Sequence, residues 1–296
     1  MRVPVRPLEE RWPRVMQERL GRFFWADPRA ILRADASPEE FRRAMSAIEV
    51  GGTYKITGAN RHPGADELML ANLDLADAVI VDIGASDGST SLDLISKLGG
   101  FKQYIIADKY LRVFARENGR KTYFYDDDGN WILVVGSRVL AWPATSGFIR
   151  ALFGRGARTA AHRVAPREVL LLNPAVQQRM AADPRVTARV HDVFLPWEGQ
   201  APDVIKVANL LRRLYFPDAD IVRALEVLLG NLPDGGHLVI VDNPRIDGMP
   251  PRCGLYRRDG GRFVVVAESE NVPEISTLVT GVDLGDRTDA QRSSDA

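Results

Sequence analysis

Val79-Ile80-Val81-Asp82-Ile83-Gly84-Ala85-Ser86-Asp87-Gly88-Ser89-Thr90-Ser91 decides how the rest of the chain is read. Its first half, with Ala78 before it, is apolar and β-branched, as expected of a strand buried on both faces of a parallel sheet. Its second half opens a helix predicted from about Ser89 to Leu98. The turn between them carries two glycines, Gly84 and Gly88, which let the backbone fold tightly and let a ligand approach without meeting a Cβ. A helix N-terminus adds free N–H groups and a positive dipole end. The turn also lies at the carboxyl end of a strand, where open α/β sheets place their ligands. A sheet that merely needs a tight strand-to-helix connection uses similar turns, so the turn alone leaves both readings open. A dinucleotide turn would read G-x-G-x-x-G, and Ser86 stands where the second glycine belongs. The pattern that remains, D-x-G-x-x-x-G, suits a nucleoside without phosphates.

Working outward, a second buried strand, Tyr104 to Ala107, ends in Asp108, an acid placed to accept hydrogen bonds from both hydroxyls of a ribose. Two more strands of this kind are Asp203 to Ala208 and His237 to Val241. Between them Ala219 to Leu229 reads as a helix with Ile221, Leu225, Leu228 and Leu229 on one face. Leu255 to Glu268 reads as a hairpin turning at Asp259-Gly260-Gly261. Short apolar strands alternating with helices predict an α/β fold. It should be Rossmann-like and doubly wound, a mostly parallel seven-stranded sheet with an antiparallel C-terminal hairpin.

The flanking parts differ in character. Residues 1 to about 48 read as helical, with a capping box at Ser37-Pro38-Glu39-Glu40 and an apolar stripe of Phe41, Met45 and Ile48. Gly51 to Gly64 reads as a loop or short strand. Lys121 to Pro143 reads as a hairpin around an Asp-Gly turn, and Ser146 to Arg167 as a helix with five arginines and no acid. The expected organisation is a helical N-terminal extension and covering segment at 1–70, a ligand-binding domain at 71–284 with an insertion at about 120–167, and a disordered tail at 285–296.

Composition narrows the class. The 296 residues are 45% hydrophobic, and 39 basic side chains balance 39 acidic ones, so nothing pulls the chain generally toward nucleic acid. The single cysteine, Cys253, excludes an intramolecular disulfide and a multi-cysteine metal site. The four histidines, His62, His162, His191 and His237, show no metal-ligand spacing. No apolar run approaches the ~20 residues that span a bilayer, and the charged N-terminus is unlike a secretory signal. A cytoplasmic protein without an integral membrane segment is the expectation.

The turn resembles motif I of the class I S-adenosylmethionine-dependent methyltransferases, and similar pieces follow in that family's order over about residues 78–242. The resemblance implies S-adenosyl-L-methionine as cofactor, with Asp82, Gly84 and Gly88 at its methionine end, together with Ala85 and Ser86. It implies that Asp108, beside Lys109, holds the ribose. It implies that His191-Asp192-Val193-Phe194, with Asp192 and Val193 in contact, reads the adenine amino group. Asp203 to Asn209 resembles the fourth motif, placing Val207 and Asn209 near the sulfonium and the methionine ammonium. Leu232-Pro233-Asp234-Gly235-Gly236 resembles the turn before the fifth strand, with an aspartate in place of one glycine. Asn209 to Phe216 is locally similar to chemotaxis-receptor glutamate methyltransferases. The hairpin and arginine-rich insertion are foreign to that branch, so its substrate does not carry over.

Methyl transfer gains much of its acceleration from positioning, and an oxygen or nitrogen nucleophile sometimes needs a base. Tyr215, His62 and Tyr54 are the catalytic candidates, with Asn60, Arg212 and the rim pair Asp242-Asn243 beside them. Each also has a bland reading: a polar loop for 53–62, an exposed helix start for Arg212 and Tyr215. His191 packs or touches cofactor, and His237 reads as structural. The insertion at 146–167 reads as a lid with solvated arginines, as a weak membrane-surface contact or as a holder of an anionic substrate, and its hairpin serves equally as lid or homodimer contact. The expected function is methylation of a small-molecule acceptor, of the kind found in secondary metabolism. The alternatives are aminopropyl transfer or cyclisation from the same cofactor, and a non-catalytic scaffold.

Overall fold

A computed structural model describes residues 4–55, 58, 60–244 and 249–285, the side chains of Thr53 and Tyr54 excepted. Most of the expected C-terminal tail, and Ile56, Thr57 and Ala59 of the expected covering segment, lie outside the described residues. The chain begins with β1 (Val5–Pro7), α1 (Arg14–Leu20), α2 (Pro38–Met45), β2 (Glu49–Val50), β3 (Thr53–Tyr54), α3 (Pro63–Asn72), β4 (Val79–Ile83), α4 (Ser89–Lys97) and β5 (Gln103–Asp108). It continues through β6 (Arg112–Asn118), β7 (Lys121–Tyr125), β8 (Trp131–Val135), β9 (Val139–Ala141), α5 (Gly147–Arg163), β10 (Arg167–Leu170) and α6 (Pro174–Ala182). It ends with β11 (Val186–Val190), β12 (Val204–Ala208), α7 (Asp218–Asn231), β13 (His237–Asp242), β14 (Arg252–Asp259), β15 (Arg262–Glu268) and α8 (Ser276–Gly281).

These elements form two compact units, divided at 58/59, 109/110 and 178/179. The first combines the N-terminal 58 residues with 110–178 around an antiparallel sheet ordered β1-β9-β8-β7-β6-β10. The expectation of a helical N-terminal extension needs correction here. Val5 pairs with Ala141 as an edge strand, where Pro7 costs no ladder bond toward a further neighbour. The predicted capping box is present, Ser37 Oγ accepting from the Glu40 N–H and Glu40 from the Ser37 N–H. The apolar stripe of α2 (Phe41, Met45), with Ile48 after it, packs against Phe124, Leu133 and Trp142. The other face of the sheet carries α5, whose Ile149, Ala157 and Ala160 meet Tyr123 and Tyr125. Phe148 and Leu152 of the same helix are 72% and 59% exposed.

The second unit is built on a sheet ordered β11-β5-β4-β12-β13-β14-β15. Its first five strands are parallel, and β14 and β15 add an antiparallel hairpin. This is an α/β fold with a mixed seven-stranded sheet. One face packs Val79, Val81, Ile83, Ile205 and Val207 against Ile221, Leu225 and Leu228 of α7 and Val279 of α8. The opposite face carries α3 and α4, whose Asp66 and Ser91 reach Lys206 of β12 and Asp82 of β4. From β4 the chain winds one way to β5 and β11, and the other way through β12 to β13. The carboxyl ends of β4 and β12 therefore flank the point where strand order reverses, which is where open α/β sheets bind ligands.

Candidate functional site

The turn after β4 bends through three left-handed residues: Gly84 at φ 75°, Ser86 at φ 58° and Gly88 at φ 75°. Gly84 has no room for a side chain, since a Cβ there would come within 2.9 Å of Leu210 Cδ2. Strand β12 and the chain after it thus press directly on the turn. The N–H groups of Gly84 and Ala85 both donate to the Ala107 carbonyl, at 2.8 and 3.2 Å. The Ser86 N–H donates to Asp108 Oδ2 at 2.9 Å. The Gly88 N–H donates to the Ala85 carbonyl, and the Ser89 N–H to Asp87 Oδ1 at 2.9 Å. Five turn donors are therefore spent inside the protein. The sequence reading had the helix N-terminus present free donors to the ligand. The buried Asp87, which also accepts from Ser89 Oγ, takes the first of those helix N–H groups, and Gly88 stands at the N-cap with no side-chain cap.

Asp82 is turned into the sheet face beneath the turn. Its Oδ2 accepts from Ser91 Oγ at 2.8 Å and Tyr104 Oη at 3.2 Å, and lies 3.8 Å from Lys206 Nζ. Lys206 is fully buried and also reaches Asp66 Oδ1 at 3.5 Å, while Lys97 meets Asp66 Oδ2 at 2.7 Å. Burial, then the Asp82 charge, push the Tyr104 phenol well above its usual range, so it stays a donor. The residues that tie α3 and α4 to β4 and β12 are Asp66, Ser91, Tyr104 and Lys206, none of them singled out from sequence. A lysine inside the apolar run Val204-Ile205-Lys206-Val207-Ala208 was the available signal, because a buried ammonium requires buried carboxylates.

Along the neighbouring strand ends, Asp108 is nearly buried and the His191 N–H donates to its carbonyl. Asp192 accepts from the Phe194 N–H at 3.1 Å and pairs with Lys109 Nζ at 2.7 Å. Partial burial pushes the Asp192 carboxyl up, but Lys109 and the Phe194 N–H outweigh it and hold it below the usual range. Val193 and Val207 are buried in the α7-side core, so their side chains serve packing.

On the other side of the reversal point, Asn209 follows β12 with φ 58° and clasps Asn243, which follows β13. Asn209 Oδ1 accepts from the Asn243 N–H and its Nδ2 donates to Asn243 Oδ1, both at 2.7 Å. His62, at the start of α3, places Nε2 3.0 Å from Asn209 Nδ2. Arg212 Nη1 donates to the Asn243 carbonyl at 3.1 Å. The structure thus brings together Gly84, Ala85, Ser86 and Asp108, pairs Lys109 with Asp192, and gathers Asn209, His62, Arg212 and Asn243. Tyr215 is 42% exposed on the turn after β12. Asn60 is exposed and donates its N–H to Asp93 of α4. Tyr54 lies on β3 in the other unit, and its side chain is outside the described residues.

No family model matches the chain, and no curated protein does. Solved structures that match include an amino pentose methyltransferase from Micromonospora echinaspora involved in calicheamicin biosynthesis, with S-adenosylmethionine bound. The match has 14% identity, covers 69% of this chain and 58% of that one, and has a TM-score of 0.32. Another is a magnesium protoporphyrin IX methyltransferase from Synechocystis with bound S-adenosylhomocysteine (13% identity, 63% and 56% covered, TM-score 0.33). A third is a mitomycin 7-O-methyltransferase (18% identity, 75% and 44% covered, TM-score 0.32). The chain spans less than two thirds of the length of each. A likeness of this extent fixes no substrate for this chain.

Proposed function

We propose that the second unit binds S-adenosyl-L-methionine at the reversal point and transfers its methyl group to a small-molecule acceptor. The observation that carries this reading is the turn after β4, whose N–H groups at 84, 85, 86, 88 and 89 are all spent on protein acceptors. A phosphate is bound through such donors, so their use inside the protein disfavours a dinucleotide or nucleoside triphosphate at the turn. The acids Asp87 and Asp108 beside the same turn oppose an anion and favour a cation, as the sulfonium and ammonium of S-adenosylmethionine supply. Asp108 stands at the carboxyl end of β5, where a carboxylate with several lone-pair sites is suited to take ribose hydroxyls. Among the described residues, Ser86 Oγ and His62 Nδ1 are buried polar atoms without a protein partner, as fits groups awaiting a polar ligand.

The cofactor supplies an electrophilic methyl carbon, and the protein's residues orient it and exclude water. The Asn209–Asn243 clasp fixes the end of β12, while Asp108 and Asp192 hold the nucleoside side. In this reading Tyr215, exposed on the turn after β12, meets the acceptor. Product analysis tests the reaction: methyl transfer yields S-adenosylhomocysteine, whereas aminopropyl transfer or cyclisation yields methylthioadenosine and overturns it.

A further inference from the structure

The tautomer of His62 can be read from its neighbours. A backbone N–H only donates, so the Asn243 N–H makes the atom it meets Asn209 Oδ1. The other terminal atom of Asn209 is then Nδ2, which lies 3.0 Å from His62 Nε2 and has no lone pair to offer. The far end of the chain of bonds agrees, because Asn243 Nδ2 donates to the Arg61 carbonyl, which only accepts. His62 Nε2 is therefore the acceptor, and its proton sits on Nδ1. That Nδ1 is buried without a protein partner, on a side chain only 5% exposed. Burial, then the charges of Lys206 and Arg61, press the imidazole down to about 3, with Asn243 opposing, so His62 stays neutral. It is thereby a donor rather than a base. Arg212, bound to the same Asn243, has its buried Nε likewise unpartnered.

We infer that His62 Nδ1–H, with Arg212 beside it on the Asn209–Asn243 clasp, forms a carboxylate-binding site for the amino-acid end of the ligand. This deepens the reading of the site as one for S-adenosylmethionine and rests on it. That molecule has a single anionic group, its carboxylate. Asp87 and Asp108 lie beside the turn and oppose it there, whereas Arg212 and the neutral His62 donor lie on the clasp. An unpaired buried donor is costly, and a charge-assisted bond to a carboxylate removes that cost.

Two measurements on the full chain test this. In histidine-labelled protein, nitrogen NMR should show His62 with Nδ1 protonated, Nε2 bare, and no titration between pH 8 and 5. A protonated Nε2, or a midpoint inside that range, overturns the tautomer assignment whether or not any cofactor binds. In calorimetry, His62→Leu should weaken S-adenosylmethionine binding at least tenfold and leave the decarboxylated analogue unaffected. His62→Asn, which can place an N–H where Nδ1 was, should restore most of the loss. Equal affinities of wild type and His62→Leu for S-adenosylmethionine, or equal losses for both molecules, overturn the carboxylate assignment. A wild type that binds neither molecule overturns the cofactor reading itself, and the NMR result still decides the tautomer.

Discussion

Ser86 donates its backbone N–H to Asp108 Oδ2 across 2.9 Å, joining the turn after β4 to the end of β5. The bond requires Ser86 to sit in the left-handed region at φ 58°, a conformation serine adopts at a cost. The residue that spoils the dinucleotide pattern is thus the one that orients the proposed ribose-binding acid.

Ser86→Gly should stabilise the protein and weaken its ligand. The left-handed cost of about 1–2 kcal/mol at a non-glycine residue exceeds the roughly 0.5–1 kcal/mol entropic cost of glycine. The Oγ being removed has no protein partner. Denaturant unfolding should therefore show a gain of up to about 1 kcal/mol. Calorimetry should show S-adenosylmethionine affinity falling roughly fivefold, the worth of about one hydrogen bond. Reduced stability would show that Ser86 is not strained.

Lys206→Met should be strongly destabilising. The ammonium is fully buried, 3.5 Å from Asp66 and 3.8 Å from Asp82, and removing it leaves buried carboxylates short of a counter-charge. The expected loss is about 3–5 kcal/mol in urea unfolding. A change under 1 kcal/mol would mean that Lys97, Ser91 and Tyr104 suffice to hold the two acids.

Stability should fall below neutral pH in a way that His62 accounts for. Its native pKa of about 3 lies below the unfolded value of 6.5, so between those values only the unfolded chain binds the proton. The contribution is fully present above pH 6.5 and is lost as pH falls toward 3. Comparing wild type with His62→Asn should give a stability difference that is flat above pH 7 and shrinks below pH 6. A pH-independent difference would show that the fold leaves the pKa of His62 unshifted.

Much of this architecture is legible locally. The run Val79 to Ser91, the acids closing β5 and β11, and the hairpin of β14 and β15 all report on residues near themselves in sequence. The six-stranded sheet of the first unit is not local. Val5–Pro7 pairs with Val139–Ala141 and has no buried position of its own, and Arg112–Asn118, charged at Arg112, Arg116 and Glu117, buries only Val113 and Ala115 and takes its place through β7 and β10. The clasp was half legible, because Asn209 and Asn243 each stood at a strand end while their separation of 34 positions concealed the contact. His62 lies 147 residues from Asn209, and only the fold reveals that it is a donor rather than a base.

The most direct test of the central claim is calorimetric titration of the full chain with S-adenosylmethionine, for wild type and Asp108→Ala, with NAD as a competitor. The account predicts one cofactor per chain for wild type, at least tenfold weaker binding by Asp108→Ala, and no competition from NAD. Absence of binding to wild type, undiminished binding by Asp108→Ala, or displacement by NAD would contradict it.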